Sequence, residues 1–204
     1  AEGMWEVSTG EGIRVGVLDT GIDWEHPDLI NRLAVSGAED VNDNGRFDPW
    51  LSTIEIDGVT GDLNGIDDDG NGYVDDVIGF DFVDQDVRNV GDDRERDPIP
   101  VYEQGHGTSV SGVVAAEANN GIGIAGLAYD ARIVTMRAFD ATGNAEEDDI
   151  AAALVYAALN GVRVVNMSFG DGVDSPALRD AIKFASTMGC FLVASAGNSG
   201  TTSR

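Results

Sequence analysis

Residues 13–21 read Ile-Arg-Val-Gly-Val-Leu-Asp-Thr-Gly, a short apolar run that ends in a carboxylate and a glycine. A run of this length is typical of a strand that is buried on both faces of a parallel sheet. We therefore expect a strand over Ile13–Leu18, with Asp19 just beyond its carboxyl end. Ligands of open α/β sheets bind at that edge, which makes Asp19 a candidate site residue.

Strand and helix patterns alternate along the rest of the chain. Further buried strands are predicted at Ile133–Met136, Val162–Met167 and Phe191–Ala194. Helices are predicted after Gly105, over residues 149–160 and over residues 176–188. This order predicts one α/β domain over residues 1–204, with a doubly wound, mostly parallel sheet and helices on both faces.

The last of these helices has the clearest ends. Ser175 suits the N-cap, Pro176 suits the first helical position, and Gly189 suits a left-handed exit. Cys190 follows in an apolar run and is the single cysteine of the chain. A buried, unreactive thiol is the expected outcome there.

The charge of the chain restricts the classes of partner. Thirty-seven Asp and Glu residues against 12 Lys and Arg residues give a formal charge of -25, which would repel nucleic acid and anionic membranes. No run of eighteen apolar residues and no basic-then-apolar leader is present, so we expect a processed chain that does not span a membrane. Two histidines without ligand-type spacing argue against a zinc hydrolase.

Residues 37–104 interrupt the alternation with a segment rich in Asp, Asn and Gly. Two loops within it share one spacing of oxygen-bearing residues around a glycine, a pattern that wraps a calcium ion. The candidate ligands are Asp40, Asn42, Asn44, the Arg46 carbonyl and Asp48 in the first loop, and Asp67, Asp69, Asn71, the Tyr73 carbonyl and Asp75 in the second. The Glu that ends an EF-hand loop is replaced by Leu51 and Ile78. The insertion is predicted to bind calcium, with ordinary acidic turns as the alternative.

Three polar groups are expected to meet at the carboxyl edge of the sheet. Asp19 follows the first strand, His106 begins a helix, and Asn198 lies in a glycine-rich turn after the last strand. Taken singly, each residue also fits a structural position in a turn or at a helix start. Together they supply a base, a carboxylate that orients it and an amide that can stabilise an oxyanion, which is the arrangement of acyl transfer.

The motifs around these residues resemble those of the subtilisin-like serine proteases, the subtilases. The matching segments are residues 19–23 with 26–29, residues 105–112, residues 166–170 and residues 196–198. They occur in the order that the family shows and span the chain from about Trp5 to Gly200. The resemblance implies a secreted, calcium-stabilised endopeptidase with a subtilisin-like fold that cleaves polypeptides through an acyl-enzyme.

Roles for individual residues follow from the resemblance. Asp19 would orient the base, His106 would act as general base and then general acid, and Asn198 would stabilise the oxyanion. The substrate-binding residues would be Ser168, Phe169, Gly170, Gly143 and Glu147, with Glu147 favouring basic substrates. A further calcium site would be formed by Asp28, Asn120 and the carbonyls of Ala118, Ile122 and Ile124.

The chain departs from the family pattern in the nucleophile. The Gly-Thr-Ser-x-x-x-Pro signature is not found, and Ser203 is a poor substitute because it follows Asn198 too closely and has no proline behind it. We therefore expect a domain that is incomplete at its C-terminus, with the serine on a separate fragment of the same protein, and the final Arg204 would suit cleavage by a trypsin-like enzyme. The alternative is a catalytically inactive, calcium-dependent binding module.

Overall fold

The computed structural model describes residues 2–84, 96–101, 104–170, 175–198 and 200. The strands are β1 (Arg14–Asp19), β2 (Glu55–Ile56), β3 (Val59–Thr60), β4 (Gly79–Asp81), β5 (Arg132–Arg137), β6 (Val164–Met167) and β7 (Phe191–Ala194). The α-helices are α1 (Glu2–Trp5), α2 (His106–Ala115), α3 (Glu147–Leu159) and α4 (Pro176–Thr187), and Ile30–Arg32 form one 3-10 turn. The prediction of an α/β fold is confirmed.

Five strands form one parallel sheet in the order β4-β5-β1-β6-β7. Asp19 ends the central strand and pairs in register with Arg137 of β5. Because all five strands run in the same direction, their carboxyl ends meet at one edge of the sheet. The site described below lies at this edge.

Alternate residues of β1 face two separate apolar cores. Val15 and Val17 belong to the core on the side of α2, and Leu18 belongs to the core on the side of α3 and α4. The steps from β4 to β5 and from β5 to β6 cross the sheet in the same direction but run over opposite faces. The two connections are therefore of opposite hand, and this places α2 on the face opposite α3, with its first turn over the end of β1.

The predicted strands and helices are all present, with shifts of at most two residues at their ends. β7 matches its prediction, and β6 begins at Val164 rather than Val162. Ser175 accepts a hydrogen bond from the N–H of Leu178, and Gly189 has φ +99°, as expected for the two ends of α4. Cys190 is buried as predicted, and burial raises the pKa of its thiol.

β4 was not predicted, because it is only three residues long and follows an Asp-rich segment. It begins at Gly79, where φ is +127° and a Cβ would stand 1.8 Å from the carbonyl oxygen of Thr135. It ends at Asp81, which forms a fully buried ion pair with Arg137. A glycine is required at this start because the neighbouring strand approaches so closely.

Among the helices that the structure describes, none combines the length and the apolar character needed to cross a membrane.

Candidate active site

His106 and Asp19 form a hydrogen-bonded pair at the carboxyl edge of the sheet. The Asp19 side chain is 4% exposed at the end of β1, and the His106 side chain is 51% exposed at the first position of α2. His106 Nδ1 lies 2.7 Å from Asp19 Oδ1. A carboxylate oxygen is an acceptor, so Nδ1 carries the proton in this pair, and in the neutral imidazole the lone pair is then on Nε2. The sequence predicts that these two residues meet at the edge of the sheet, and in the structure they do.

Backbone contacts fix the Asp19 side chain relative to the start of α2. The N–H of Thr20 donates to Asp19 Oδ1 at 2.8 Å, and the N–H of Ala138 donates to the Asp19 carbonyl at 3.0 Å. The Thr20 hydroxyl donates to the carbonyl of Gln104 at 2.7 Å and accepts from the N–H of Gly107 at 3.1 Å. One threonine thus satisfies an N–H group in the first helical turn and ties that turn to β1.

A cleft of about 200 Å³ opens beside the pair. Its lining residues come from the ends of β1, β5 and β6 and from the start of α2: Asp19, Thr20, Gln104, His106, Phe139, Gly143, Ser168 and Phe169. The rings of Phe139 and Phe169, whose centroids are 4.7 Å apart, pack together at this cleft. Two aromatic rings beside several polar groups suit a ligand that carries both kinds of surface.

Three of the predicted substrate-binding residues, Gly143, Ser168 and Phe169, line this cleft. Gly170 follows them and is exposed. Glu147 is exposed at the first position of α3, while the preceding Glu146 lines a neighbouring cavity of about 70 Å³. Gly170 and Glu147 are thus not among the residues that line the cleft.

The rim segment at residues 140–144 is held by one carboxylate. Asp140 Oδ1 accepts from the N–H and the hydroxyl of Thr142 and from the N–H of Asn144, each at 2.8 Å. The N–H of Gly143 donates to the Asp140 carbonyl at 2.9 Å. Because these bonds close a tight turn, Gly143 presents its backbone to the cleft.

Asn198 lies in the turn that follows β7 and is exposed. This turn is attached to the segment after β6, because the N–H of Ser195 donates to the Met167 carbonyl at 3.0 Å and its hydroxyl donates to the Phe169 carbonyl at 3.0 Å. The turn and the Phe169 segment therefore leave the sheet side by side. Ser203 and Arg204 lie outside the described residues.

The first predicted calcium loop brings its oxygen-bearing side chains together. Asp40 Oδ1 accepts from the N–H of Asn44 at 3.2 Å, and its Oδ2 accepts from the N–H of Gly45 at 2.7 Å. The side-chain amides of Asn42 and Asn44 donate to Asp48 Oδ2 at 2.9 and 2.6 Å. The N–H of Arg46, whose carbonyl is the remaining predicted ligand, donates to Asn44 Oδ1 at 2.8 Å.

Asp62 joins this loop from outside the predicted motif. It is fully buried, its Oδ2 accepts from the N–H of Asp48 at 2.7 Å, and its Oδ1 has no hydrogen-bond partner among the described residues. Burial, assisted by the nearby charges of Asp40 and Asp48, raises the pKa of Asp62 to about 6. A buried carboxylate oxygen without a partner is costly unless a cation or a proton meets it.

The second loop repeats this arrangement. Asp67 Oδ2 accepts from the N–H of Gly72 at 2.8 Å, and Asp69 Oδ1 accepts from the N–H of Asn71 at 3.0 Å. Asn71 Oδ1 in turn accepts from the N–H of Tyr73 at 2.7 Å. The side chains predicted at the first three ligand positions therefore lie around one turn.

Asp75 and Asp76, at the end of the second loop, bond to different parts of the chain. The Asp75 carboxylate accepts from the N–H groups of Asn64 and Gly65 at 2.8 and 2.9 Å, so it fastens the preceding segment to the loop. Asp76 Oδ2 accepts from the Tyr156 hydroxyl at 2.5 Å, and burial raises the pKa of Asp76 to about 6. These contacts attach the loop to α3.

Of the residues in the further calcium site implied by the family resemblance, Asp28 is buried and is bonded to two others, Asn120 and Ile124. Asp28 Oδ1 accepts from the side-chain amide of Asn120 at 2.7 Å, and its Oδ2 accepts from the N–H of Ile124 at 3.1 Å. The N–H of Ile122 donates to Asn120 Oδ1 at 3.0 Å. The loop over residues 118–124 is therefore held against Asp28 at two points, and its calcium binding stays a prediction.

Several residues of these sites carry no signal in the sequence. Thr20, Gln104 and Phe139 line the cleft, but the sequence gives none of them a chemical role. Gln104 and Phe139 lie outside the motifs, and Thr20 is only the middle residue of the Asp-Thr-Gly signature. Asp62 and Glu39 approach the two acidic loops from elsewhere in the chain. Their contacts depend on the folded path of the insertion, which residue spacing alone does not reveal.

Comparison with known proteins agrees with this geometry. The model of the Subtilase family matches residues 10–204. A thermophilic serine proteinase from Bacillus sp. (strain AK1) is 32% identical over 97% of this chain, and thermitase from Thermoactinomyces vulgaris is 29% identical over 97%. The matches cover 36% and 52% of those two relatives, so this chain spans about a third to a half of their length.

Solved structures show the same likeness. A protease from Pseudoalteromonas arctica superposes with a TM-score of 0.68 at 26% identity, over 95% of this chain and 52% of that protein. Fervidolysin from Fervidobacterium pennivorans, described as a keratinolytic enzyme related to subtilisin, superposes with a TM-score of 0.64 at 25% identity, over 97% of this chain and 23% of that protein.

Proposed function

Because this chain belongs to the subtilase family, we propose that it forms the acid and base portion of a secreted, calcium-stabilised serine endopeptidase. The observation that carries this proposal is the 2.7 Å contact between His106 Nδ1 and Asp19 Oδ1 at the edge of a cleft. That contact leaves Nε2 as the nitrogen available to a nucleophile. A buried acid behind an exposed histidine has the geometry required of a general base.

The proposed reaction proceeds through an acyl-enzyme. His106 Nε2 takes the proton of a serine hydroxyl as its oxygen attacks the scissile carbonyl carbon, and Asp19 stabilises the resulting imidazolium. The carbonyl oxygen becomes an oxyanion, which the side-chain amide of Asn198 stabilises by donating a hydrogen bond. As the oxyanion collapses and the C–N bond breaks, the imidazolium gives its proton to the leaving amine nitrogen. Water then attacks the ester carbonyl while His106 takes one of its protons, and His106 returns that proton to the serine oxygen as the ester C–O bond breaks.

The serine is proposed to come from a segment of the same protein that the described residues do not include. An apolar groove of about 300 Å³ between α2 and the β6–β7 end of the sheet supports this proposal. In its wall Val113 is 64% exposed, Leu127 is 60% exposed and Val193 is 42% exposed. A continuous apolar surface of this kind suits burial under further polypeptide.

Labelling with a fluorophosphonate probe, which reacts with an activated serine, tests the activity in the intact protein. We expect labelling of the wild type, its loss in His106→Ala, and slower labelling in Asp19→Asn. His26→Gln is the matched control, since His26 is the other histidine of the chain. A wild-type protein that is folded but not labelled would contradict the enzyme proposal and favour the inactive binding module.

Calcium is the proposed structural ion of the loops at 40–48, 67–75 and around Asp28. The donor set fits this ion, because carboxylate, amide and carbonyl oxygens are the ligands that calcium prefers. The unpartnered buried oxygen of Asp62 also fits a cation at the first loop. When bound, calcium would neutralise the clustered carboxylates and hold the insertion against the sheet. Chelation by EGTA should lower the melting temperature, and readdition of calcium, but not magnesium, should restore it.

The proposed substrate is a polypeptide that lies in the cleft beside Ser168, Phe169 and Gly143. We further propose that Glu147, an exposed acid at the first position of α3, favours basic residues upstream of the cleaved bond through opposite charge. Cleavage of paired peptides with Arg or Glu at those positions tests this preference. Equal rates for the two peptides, or a preference that Glu147→Gln leaves unchanged, would contradict it.

Secretion is part of the proposal. Structural calcium sites suit an extracellular location, where protein modules bind the ion with dissociation constants of about 10⁻⁴ to 10⁻³ M. Detection of the mature protein in the culture medium of its native host, and its absence from the washed cells, would support this location. The reverse distribution would contradict it.

A further inference from the structure

Glu39 is a buried carboxylate that the predicted loop motifs do not include. Its side chain is fully buried, its Oε1 accepts from the N–H of Asp69 at 2.9 Å, and its Oε2 has no hydrogen-bond partner among the described residues. A buried glutamate with one oxygen left unpaired costs free energy in the folded state unless another group meets that oxygen.

The Glu39 carboxylate lies beside the second acidic loop. Ligand oxygens of Glu39, Asp67 and Asp69 all lie within 4.8 Å of one another. None of the ion pairs between described residues involves these three carboxylates, and the guanidinium of Arg14, which lines the adjoining cavity, donates to the Asn160 carbonyl. A cation is the partner that such a group lacks.

The loop at residues 67–75 also lacks the glutamate that ends an EF-hand loop. In an EF-hand loop the twelfth position carries a glutamate that completes the calcium site. Here that position is Ile78, which is fully buried in the apolar core directly before β4. The twelfth position of the loop therefore leads directly into β4, and it carries an apolar side chain instead of a carboxylate.

On the calcium binding proposed above, we infer that Glu39 is the missing carboxylate ligand of the loop at residues 67–75. It takes the place of the twelfth-position glutamate, but it reaches the loop from a segment 28 positions before Asp67 in the sequence. Glu39 also directly precedes Asp40, the first ligand residue of the other loop. One peptide thus joins the two calcium sites.

Calcium titration of the intact protein by isothermal calorimetry tests this inference with three variants. Glu39→Gln preserves the shape of the side chain and removes its charge. Asp67→Asn reports the loop itself, and Glu55→Gln is the matched control because Glu55 is an exposed acid of the same insertion. We expect Glu39→Gln to weaken one calcium site by at least about tenfold, the lower end of the cost of disturbing even an indirect metal contact. Glu55→Gln should bind like the wild type.

The outcomes separate this inference from the calcium proposal. Weakening by Asp67→Asn without weakening by Glu39→Gln overturns the ligand assignment alone. No calcium binding by the wild type overturns both. Thermal unfolding in EGTA distinguishes a ligand from a merely structural residue. Without calcium, Glu39→Gln should melt at or above the melting temperature of the wild type. With calcium, it should lack the rise in melting temperature that the ion gives the wild type. An equal loss of stability with and without calcium would assign Glu39 to packing and overturn the inference.

Discussion

Gly107 lies against Gly21 so closely that a Cβ at position 107 would stand 2.2 Å from the Gly21 carbonyl oxygen and 3.2 Å from Asp19 Oδ1. Gly21 has φ +88° and itself meets the Val101 carbonyl. The first turn of α2 can therefore rest on the end of β1 only because both positions lack a side chain. This contact sets the separation of His106 from Asp19.

Replacement of Gly107 by Ala is expected to lower kcat/KM by about 10²-fold, because a displacement of about 1 Å at a reacting group costs that much. The variant should keep the wild-type far-UV circular dichroism spectrum. Peptide hydrolysis by the purified protein measures the effect.

The matched control is Gly112→Ala on the same helix, where the nearest atom to a new Cβ is Ile124 Cδ1 at 3.9 Å. This change should preserve activity and add up to about 1 kcal/mol of stability, since alanine favours a helix interior over glycine. Equal activities of the two variants would show that the approach of Gly107 to Gly21 does not position the base.

The sequence predicts the pairing of His106 with Asp19 because parallel strands end at one edge and helices start there. It predicts the four longer strands because their apolar runs have no other stable location than a buried sheet. It does not predict β4, whose three residues are specified by the close approach of Gly79 to β5. Contacts such as that of Glu39 with Asp69 were missed for a related reason, since each joins residues that only the folded insertion brings together.

Asn198→Ala is expected to lower kcat by about 10² to 10³-fold with little change in KM, because an oxyanion donor acts mainly in the transition state. Steady-state kinetics on a peptide substrate separates the two parameters. Asn31→Ala is the control, as Asn31 is an exposed amide that bonds to Glu117. A rise in KM at constant kcat would instead assign Asn198 to ground-state binding.

The ion pair between Arg137 and Asp81 supports the sheet beneath the site. Nη1 and Oδ2 are 2.5 Å apart, and the two side chains are 0% and 2% exposed. Arg137→Met should lower the free energy of unfolding by about 3 to 5 kcal/mol, because it leaves a buried carboxylate without its opposite charge. Chemical denaturation measures this loss. The double variant Asp81→Asn with Arg137→Met should lose less, and a larger loss in the double variant would contradict this explanation.

The acidic cluster at the start of α3 should make stability depend on pH. Asp149 is 2% exposed and lies 2.9 Å from Arg96 Nη2, which Asp84 and Asp148 also approach at 3.6 and 3.4 Å. Burial raises the pKa of Asp149 from 3.8 to about 6, although the hydrogen bond from Arg96 lowers it. The folded chain therefore holds a proton that the unfolded chain releases between those values. The stability that this proton confers is complete below pH 3.8 and is lost as the pH rises through about 6.

Asp149→Asn removes this titration and keeps an oxygen to accept from Arg96. Urea unfolding at fixed calcium, compared between about pH 4 and pH 7, should show the variant gaining stability relative to the wild type as pH rises. Asp148→Asn is the control, because Asp148 approaches the same guanidinium but is 71% exposed. The difference in free energy of unfolding between Asp149→Asn and the wild type could instead stay constant across this pH range. The carboxylate of Asp149 would then titrate alike in the folded and unfolded chains, and the three acids around Arg96 would not affect its protonation.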